Sequence, residues 1–109
     1  MTNYVEKDIY RLGDTIPMRF IGDSDTDLEN NDFKVSILNP YGTAIEVNKE
    51  DCAKIQDNEY HYEIANTVSK NMKTGNYKLE IYLGTTNSLI FAEDNFFELK
   101  DSYSKKFAV

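Results

Sequence analysis

An all-β fold, an antiparallel sandwich of about seven strands, is what this sequence predicts, and three observations carry it. Residues 74–83 join a turn pair, Thr74-Gly75, to strict alternation, with Tyr77, Leu79, Ile81 and Leu83 on one face and Lys78, Glu80 and Tyr82 on the other. A side-chain period of two puts the first four into a core and sends the others outward. Similar short runs recur at 16–20, 33–37, 60–64 and 89–99, divided by turn signals about every eight to twelve residues. A tyrosine also stands two residues after Gly75, where sandwiches of immunoglobulin type carry one whose hydroxyl returns to upstream backbone. The sandwich is therefore expected to be immunoglobulin-like, with jelly-roll or barrel closure as the alternatives.

A chain of 109 residues with 40% apolar content, 8 Tyr, 6 Phe and no Trp can bury one core without staples. The expected organisation is a single immunoglobulin-like domain over residues 1–100, with 101–109 as a tail or the start of a linker. The net charge of -7 opposes binding to phosphate backbones and to anionic membrane surfaces, so neither nucleic acid nor membrane is an expected partner. Cys52 is the single cysteine, which rules out an intramolecular disulfide. The first eight residues show no apolar core of a signal peptide, and no apolar run reaches membrane-spanning length.

Each element follows from its own pattern. Residues 3–12 mix charges with Tyr4, Val5, Ile9, Tyr10 and Leu12, which fits an edge strand or an extended arm. A turn at 11–15 leads to Ile16, Met18 and Phe20 in alternation. Pro17 within that strand has no N–H, so its donor position must face an edge, a bulge or solvent. After an acidic loop at 22–32, Phe33, Val35 and Ile37 define a strand, and Asn39-Pro40-Tyr41-Gly42 turns it into a hairpin with Ala44, Ile45 and Val47. Residues 49–57 read as irregular or as a short strand. Tyr60, Tyr62 and Ile64 form another strand, and residues 65–74 have room for one helical turn before the strand at 74–83. That strand is expected to pair with 89–92 as a hairpin, Leu83 opposite Leu89, Tyr82 opposite Ile90 on the outer face, and Ile81 with Phe91 inward. Glu93-Asp94-Asn95 interrupts the pattern as a bulge before Phe96, Phe97 and Leu99 resume it.

Candidate chemistry is sparse. Asp23, Asp25 and Asp27, followed by Glu29 and Asp32, are hard oxygen ligands and form a weak candidate for a calcium loop. The spacing begins like an EF-hand, but Leu28 occupies the glycine position and Lys34 the bidentate glutamate position, so an EF-hand is excluded. The bland reading is a solvated acidic turn. His61 is the single histidine, on the outward phase of its strand, and Cys52 reads as a packing residue; no nucleophile motif accompanies them. There is no glycine-rich phosphate loop and no metal-spaced Cys or His set, so the chain is expected to be no enzyme and to need no cofactor. Tyr82 and Ile90 on the outer face of the hairpin, and Tyr41 at a turn tip, are the interface candidates, set against the ordinary scatter of exposed aromatics. Tyrosines of this kind also stack on sugars.

Gly13-Asp14 leading into the first core strand, Asp27-Leu28 closing a polar loop, and Pro40-Tyr41-Gly42 following the next strand resemble the N-terminal domain of phage baseplate upper proteins. The closing strand with Gly75-Asn76-Tyr77 fits the same pattern, and the likeness spans most of residues 9–99. The resemblance implies a non-enzymatic virion component that docks into a tail or baseplate, helps present receptor-binding parts and has other virion proteins as partners. Homo-oligomer formation is compatible with it. It also implies either an excised domain or a standalone module, since members of that family continue into further domains. Outside the resemblance, two other functions fit the residues: a carbohydrate-binding or adhesive module using Tyr41, Tyr82 and the acidic loop, and an acidic inhibitor or mimic of a basic host protein.

Overall fold

The computed structural model describes residues 2–22, 33–41, 45–56, 59–84 and 86–102. In chain order these form β1 (Thr2–Val5), β2 (Ile9–Arg11), β3 (Ile16–Ile21), β4 (Phe33–Leu38), β5 (Ile45–Asp51), β6 (Ala53–Gln56), β7 (Glu59–Ile64), α1 (Asn66–Ser69), β8 (Gly75–Leu83) and β9 (Leu89–Lys100). One sheet has the order β1-β3-β7-β6 and the other β2-β9-β8-β4-β5. The five-stranded sheet curls into a half-barrel. The fold is all-β, as the alternation predicts.

Two features differ from the expectation. The described residues hold nine strands rather than about seven, because residues 3–12 divide into β1 and β2 and because residues 49–57 carry the end of β5 and all of β6. The pairing is also not wholly antiparallel. The chain changes sheets at Glu6-Lys7-Asp8 without reversing, so β2 runs parallel to β9, with Ile9, Tyr10 and Arg11 opposite Glu98, Leu99 and Lys100. Pro17 accounts for the break: β1 stops with Val5 opposite Met18, one residue short of the proline that cannot donate to a ladder.

The core lies between the sheets. Ile16, Met18, Phe20, Tyr60 and Ile64 enter it from one side, and Tyr10, Phe33, Val35, Ile37, Val47, Tyr77, Leu79, Ile81, Phe97 and Leu99 from the other. Each fully buried large side chain contributes about 1.5–3 kcal/mol relative to exposure. Rings tie the layers: Phe33 of one sheet meets Tyr60 of the other at 4.4 Å between centroids. Tyr77 stacks on Phe97 at 5.1 Å, with an interplanar angle of 8°, and Tyr10 meets Phe97 edge-on at 6.1 Å.

The phenol of Tyr77 donates to the Lys73 carbonyl at 2.6 Å, forming the tyrosine corner that the sequence predicts. The bulge expected near residues 93–95 is present. Tyr77 faces Phe97 and Leu79 faces Glu93, so three β9 residues stand against the one residue between Tyr77 and Leu79. Asn95 takes a φ of 55° there, and the redirected strand buries both Phe96 and Phe97, bringing Phe96 to 6.5 Å from Phe20 in the opposite sheet. The helical turn α1 carries Ser69, fully buried, whose hydroxyl donates to the Asp14 carbonyl and accepts from the Gly13 N–H at 3.2 Å. This latch fixes the turn between β2 and β3 against the connection that leads to Tyr77.

Gly75 has a φ of 131°, and a Cβ there would lie 2.6 Å from Pro40 Cγ. Both the conformation and the close approach require glycine. Gly75→Ala should therefore lower stability by more than about 1 kcal/mol in urea unfolding. Pro40→Gly in the same chain should restore part of that loss, since it removes both Pro40 atoms that would lie within 3 Å of the added Cβ but leaves the positive φ. Stability unchanged by Gly75→Ala would contradict the packing.

Candidate functional site

The outer face of the five-stranded sheet presents Tyr82 among charged neighbours. Tyr82 lies in β8 between Lys34 of β4 and Leu89 of β9. Its hydroxyl donates to Glu80 Oε1 at 3.0 Å, and Lys49 Nζ stands 4.7 Å from its ring centroid. Burial first, and the Glu80 hydrogen bond second, hold this phenol above the usual tyrosine range. Lys49 reaches the ring because β5 is irregular: its φ is 48°, its N–H donates to Ser36 Oγ at 3.0 Å, and the β4–β5 register shifts between Val35 and Ile37. Beside it Lys34 pairs with Asp51 at 3.6 Å, and further along the sheet Lys78 meets Asp94 at 4.0 Å. The arrangement is an apolar centre of Tyr82 and the 51% exposed Leu89, rimmed by charge.

Ile90 does not sit beside Tyr82 as the sequence reading expects. The loop closes by Leu83 N–H to Ser88 O at 3.0 Å and Asn87 N–H to Leu83 O at 2.8 Å, with Asn87 at a φ of 55°. Ile81 still faces Phe91, but Tyr82 faces Leu89, so Ile90 is the extra residue of a bulge. The bulge changes the phase of the strand. Ile90 turns to pack against the core, and Leu89 takes its place on the outer face.

Tyr41, 65% exposed, lies at the opposite end of the sandwich from the β8–β9 loop, with Lys73 Nζ 5.7 Å from its ring. It borders a groove of about 580 Å³ that runs to the end of β9, with Arg11, Glu98, Lys100 and Asp101 along the walls. The structure therefore separates Tyr41 from Tyr82. The weak metal candidates Asp23, Asp25 and Asp27 lie outside the described residues. Among the described residues no group of three or more His, Cys, Asp or Glu side chains is placed to hold a metal ion. Among the same residues no helix is long and apolar enough to cross a membrane.

The four-stranded sheet carries an outward row that single-strand reasoning misses: Tyr4, Arg19, His61 and Ala53 stand opposite one another across β1, β3, β7 and β6. Arg19 covers the Tyr4 ring at 4.9 Å, and His61 Nε2 lies 2.8 Å from Glu59 Oε2. The row opens onto a cleft of about 440 Å³ that includes Pro17. The alternation already places Arg19 and His61 outward; their alignment depends on register between distant strands, which no local pattern encodes. Cys52 packs against the core, and burial first, then the Asp51 carboxylate, pushes its thiol up to about 12. It is therefore a thiol rather than a nucleophilic thiolate at neutral pH.

Burial also pushes the Tyr77 phenol up to about 12, with Glu46 adding to the effect and the Lys73 hydrogen bond opposing it. Both groups hold their protons more tightly in the folded chain than in the unfolded one, whose values are 9.0 for the thiol and 10.0 for the phenol. Their contribution to stability is complete below pH 9.0 and is lost as pH rises towards about 12. Urea midpoints should therefore fall steadily on that alkaline limb, and Cys52→Ala should flatten the lower part of the decline. A midpoint constant across this range would contradict the burial of both groups. No protein-family model matches the chain, and no curated protein matches it.

Proposed function

We propose that this chain is a non-enzymatic structural module that binds other proteins, an immunoglobulin-like domain serving in a phage tail or baseplate. The strand order supports the fold part of this reading. With β1 as strand A, β2 as A′ and β3 to β9 as B, C, C′, D, E, F and G, the sheets read ABED and A′GFCC′. The tyrosine corner on strand F belongs to the same pattern. The short motifs Gly13-Asp14, Asp27-Leu28 and Pro40-Tyr41-Gly42 support the phage part through their resemblance to baseplate upper proteins.

The observation that carries the binding role is the Tyr82–Leu89 centre. An exposed leucine beside a tyrosine on a sheet face otherwise occupied by Lys34, Lys78, Glu80 and Asp94 is placed for contact with a partner rather than for solubility. A sugar-binding role has one observation in its favour, the exposed Tyr41 ring beside its groove. A glycan array separates the two readings, because a structural module gives no sugar-dependent signal.

The chain should co-purify with phage particles; recovery from infected cytosol and never from particles would sink the phage role. Tyr82→Lys should leave the thermal midpoint within about 5 °C, since it removes a half-buried ring at the surface. The same change should weaken binding to the particle partner by about thirtyfold or more. Unchanged binding by a folded Tyr82→Lys chain would remove this face from consideration.

A further inference from the structure

Among the edges of the two sheets, β1 carries a side chain that does not suit its place. Asn3 stands opposite Phe20 on the core side, and both its amide nitrogen and its amide oxygen are sealed from solvent without a hydrogen-bond partner. A buried polar group left unpaired costs the full loss of its hydration, and native sheets rarely keep one. Tyr4 is exposed and Asn3 and Val5 are only partly buried, so Val5 packed against the core is the one apolar contact of these three that offsets that cost. The adjacent β2 is held quite differently. Tyr10 is buried against Phe97, and backbone bonds from Leu12 N–H to Lys100 O and from Glu98 N–H to Asp8 O, both 2.9 Å, bracket the strand. Lys7 N–H also donates to Tyr10 Oη at 3.2 Å. Residues 6–8 thus join a firmly fixed strand to a weakly fixed one.

We propose that β1 is a displaceable strand, and that the β3 edge beneath it is a docking site for an extended segment of a partner protein. The register specifies the segment. It must run antiparallel to β3, place apolar side chains over Phe20 and Met18 where Asn3 and Val5 now lie, and set an aromatic ring outward under Arg19 in place of Tyr4. Such a segment makes the same backbone ladder as β1, so the exchange is balanced in hydrogen bonds, and it removes the unpaired amide. The other edges are less suited to this role. β5 is distorted where Lys49 takes a positive φ, and β6 is bulged between Lys54 and Gln56, both devices that blunt strand addition.

This inference rests on the reading of the chain as a protein-binding module, but its test uses the purified chain alone. The probe is a fluorescein-labelled peptide of residues 1–8 carrying Asn3→Val, compared with the unaltered peptide. The full-length chain should bind the altered peptide at least about tenfold more tightly. The chain carrying Asn3→Val should melt about 4–8 °C higher and bind that peptide at least about tenfold more weakly. Equal affinity for the two peptides, no binding of either, or an Asn3→Val chain that is no more stable would overturn the proposal. A concentration-dependent dimer exchanging residues 2–5 would also overturn it, naming a second copy as the occupant. Binding through Tyr82 would stand or fall separately, since neither peptide touches that face.

Discussion

The structure depends on how Tyr77 is held. Its ring stacks on Phe97 at the centre of the core, while its hydroxyl leaves the core to bind the Lys73 carbonyl. A buried phenol needs a partner, and the chain between β7 and β8 supplies one by passing across the end of the sandwich. That requirement sets the path of residues 65–74. The Ser69 latch then secures the same segment to the β2–β3 turn. Two connections are therefore fixed by one side chain and its immediate supports. The Gly75–Pro40 contact adds the β4–β5 turn to the same end of the molecule.

The outward apolar patch at Tyr82 arises where the pairing departs from regularity. The bulge at Ile90 exchanges an expected outer residue for Leu89, and the distortion of β5 brings Lys49 over Tyr82. The three-residue bulge in β9 has the opposite consequence, driving Phe96 and Phe97 into the core. The bulge at Ile90 adds one residue and so changes the phase of a strand with period two, whereas the bulge at residues 94–96 adds two and keeps the phase, Phe96 entering the core from within the bulge itself. The change of sheet at residues 6–8 belongs with them. It divides one end of the fold into a strand secured by Tyr10 and a strand whose inward asparagine finds no partner.

The central strands were legible in the sequence because burial on one face imposes a clean alternation on β3, β4, β7 and β8. The tyrosine corner was legible as Gly75 followed by Tyr77, and the β9 bulge as Glu93-Asp94-Asn95 inside an apolar run. The Tyr82 surface was legible only in part. Alternation placed Tyr82 outward, but its neighbour depended on a bulge that apolar Leu89-Ile90-Phe91 does not announce, since any of the three could face the core. The parallel β2–β9 pair was hidden because a three-residue strand has too few positions to show a period. The alignment of Tyr4, Arg19 and His61 was hidden for another reason: it joins positions far apart in sequence through the register of three strands.

The most direct test of the central claim is equilibrium urea unfolding of Tyr77→Phe combined with hydrogen exchange. The account predicts a loss of about 1–3 kcal/mol, because the ring stack survives while the Lys73 carbonyl loses its donor. Amide protection should fall first in the connection from α1 to β8, with the β4 and β8 amides still the slowest to exchange. Wild-type stability and unchanged protection in Tyr77→Phe would contradict the claim that this hydrogen bond fixes the end of the sandwich.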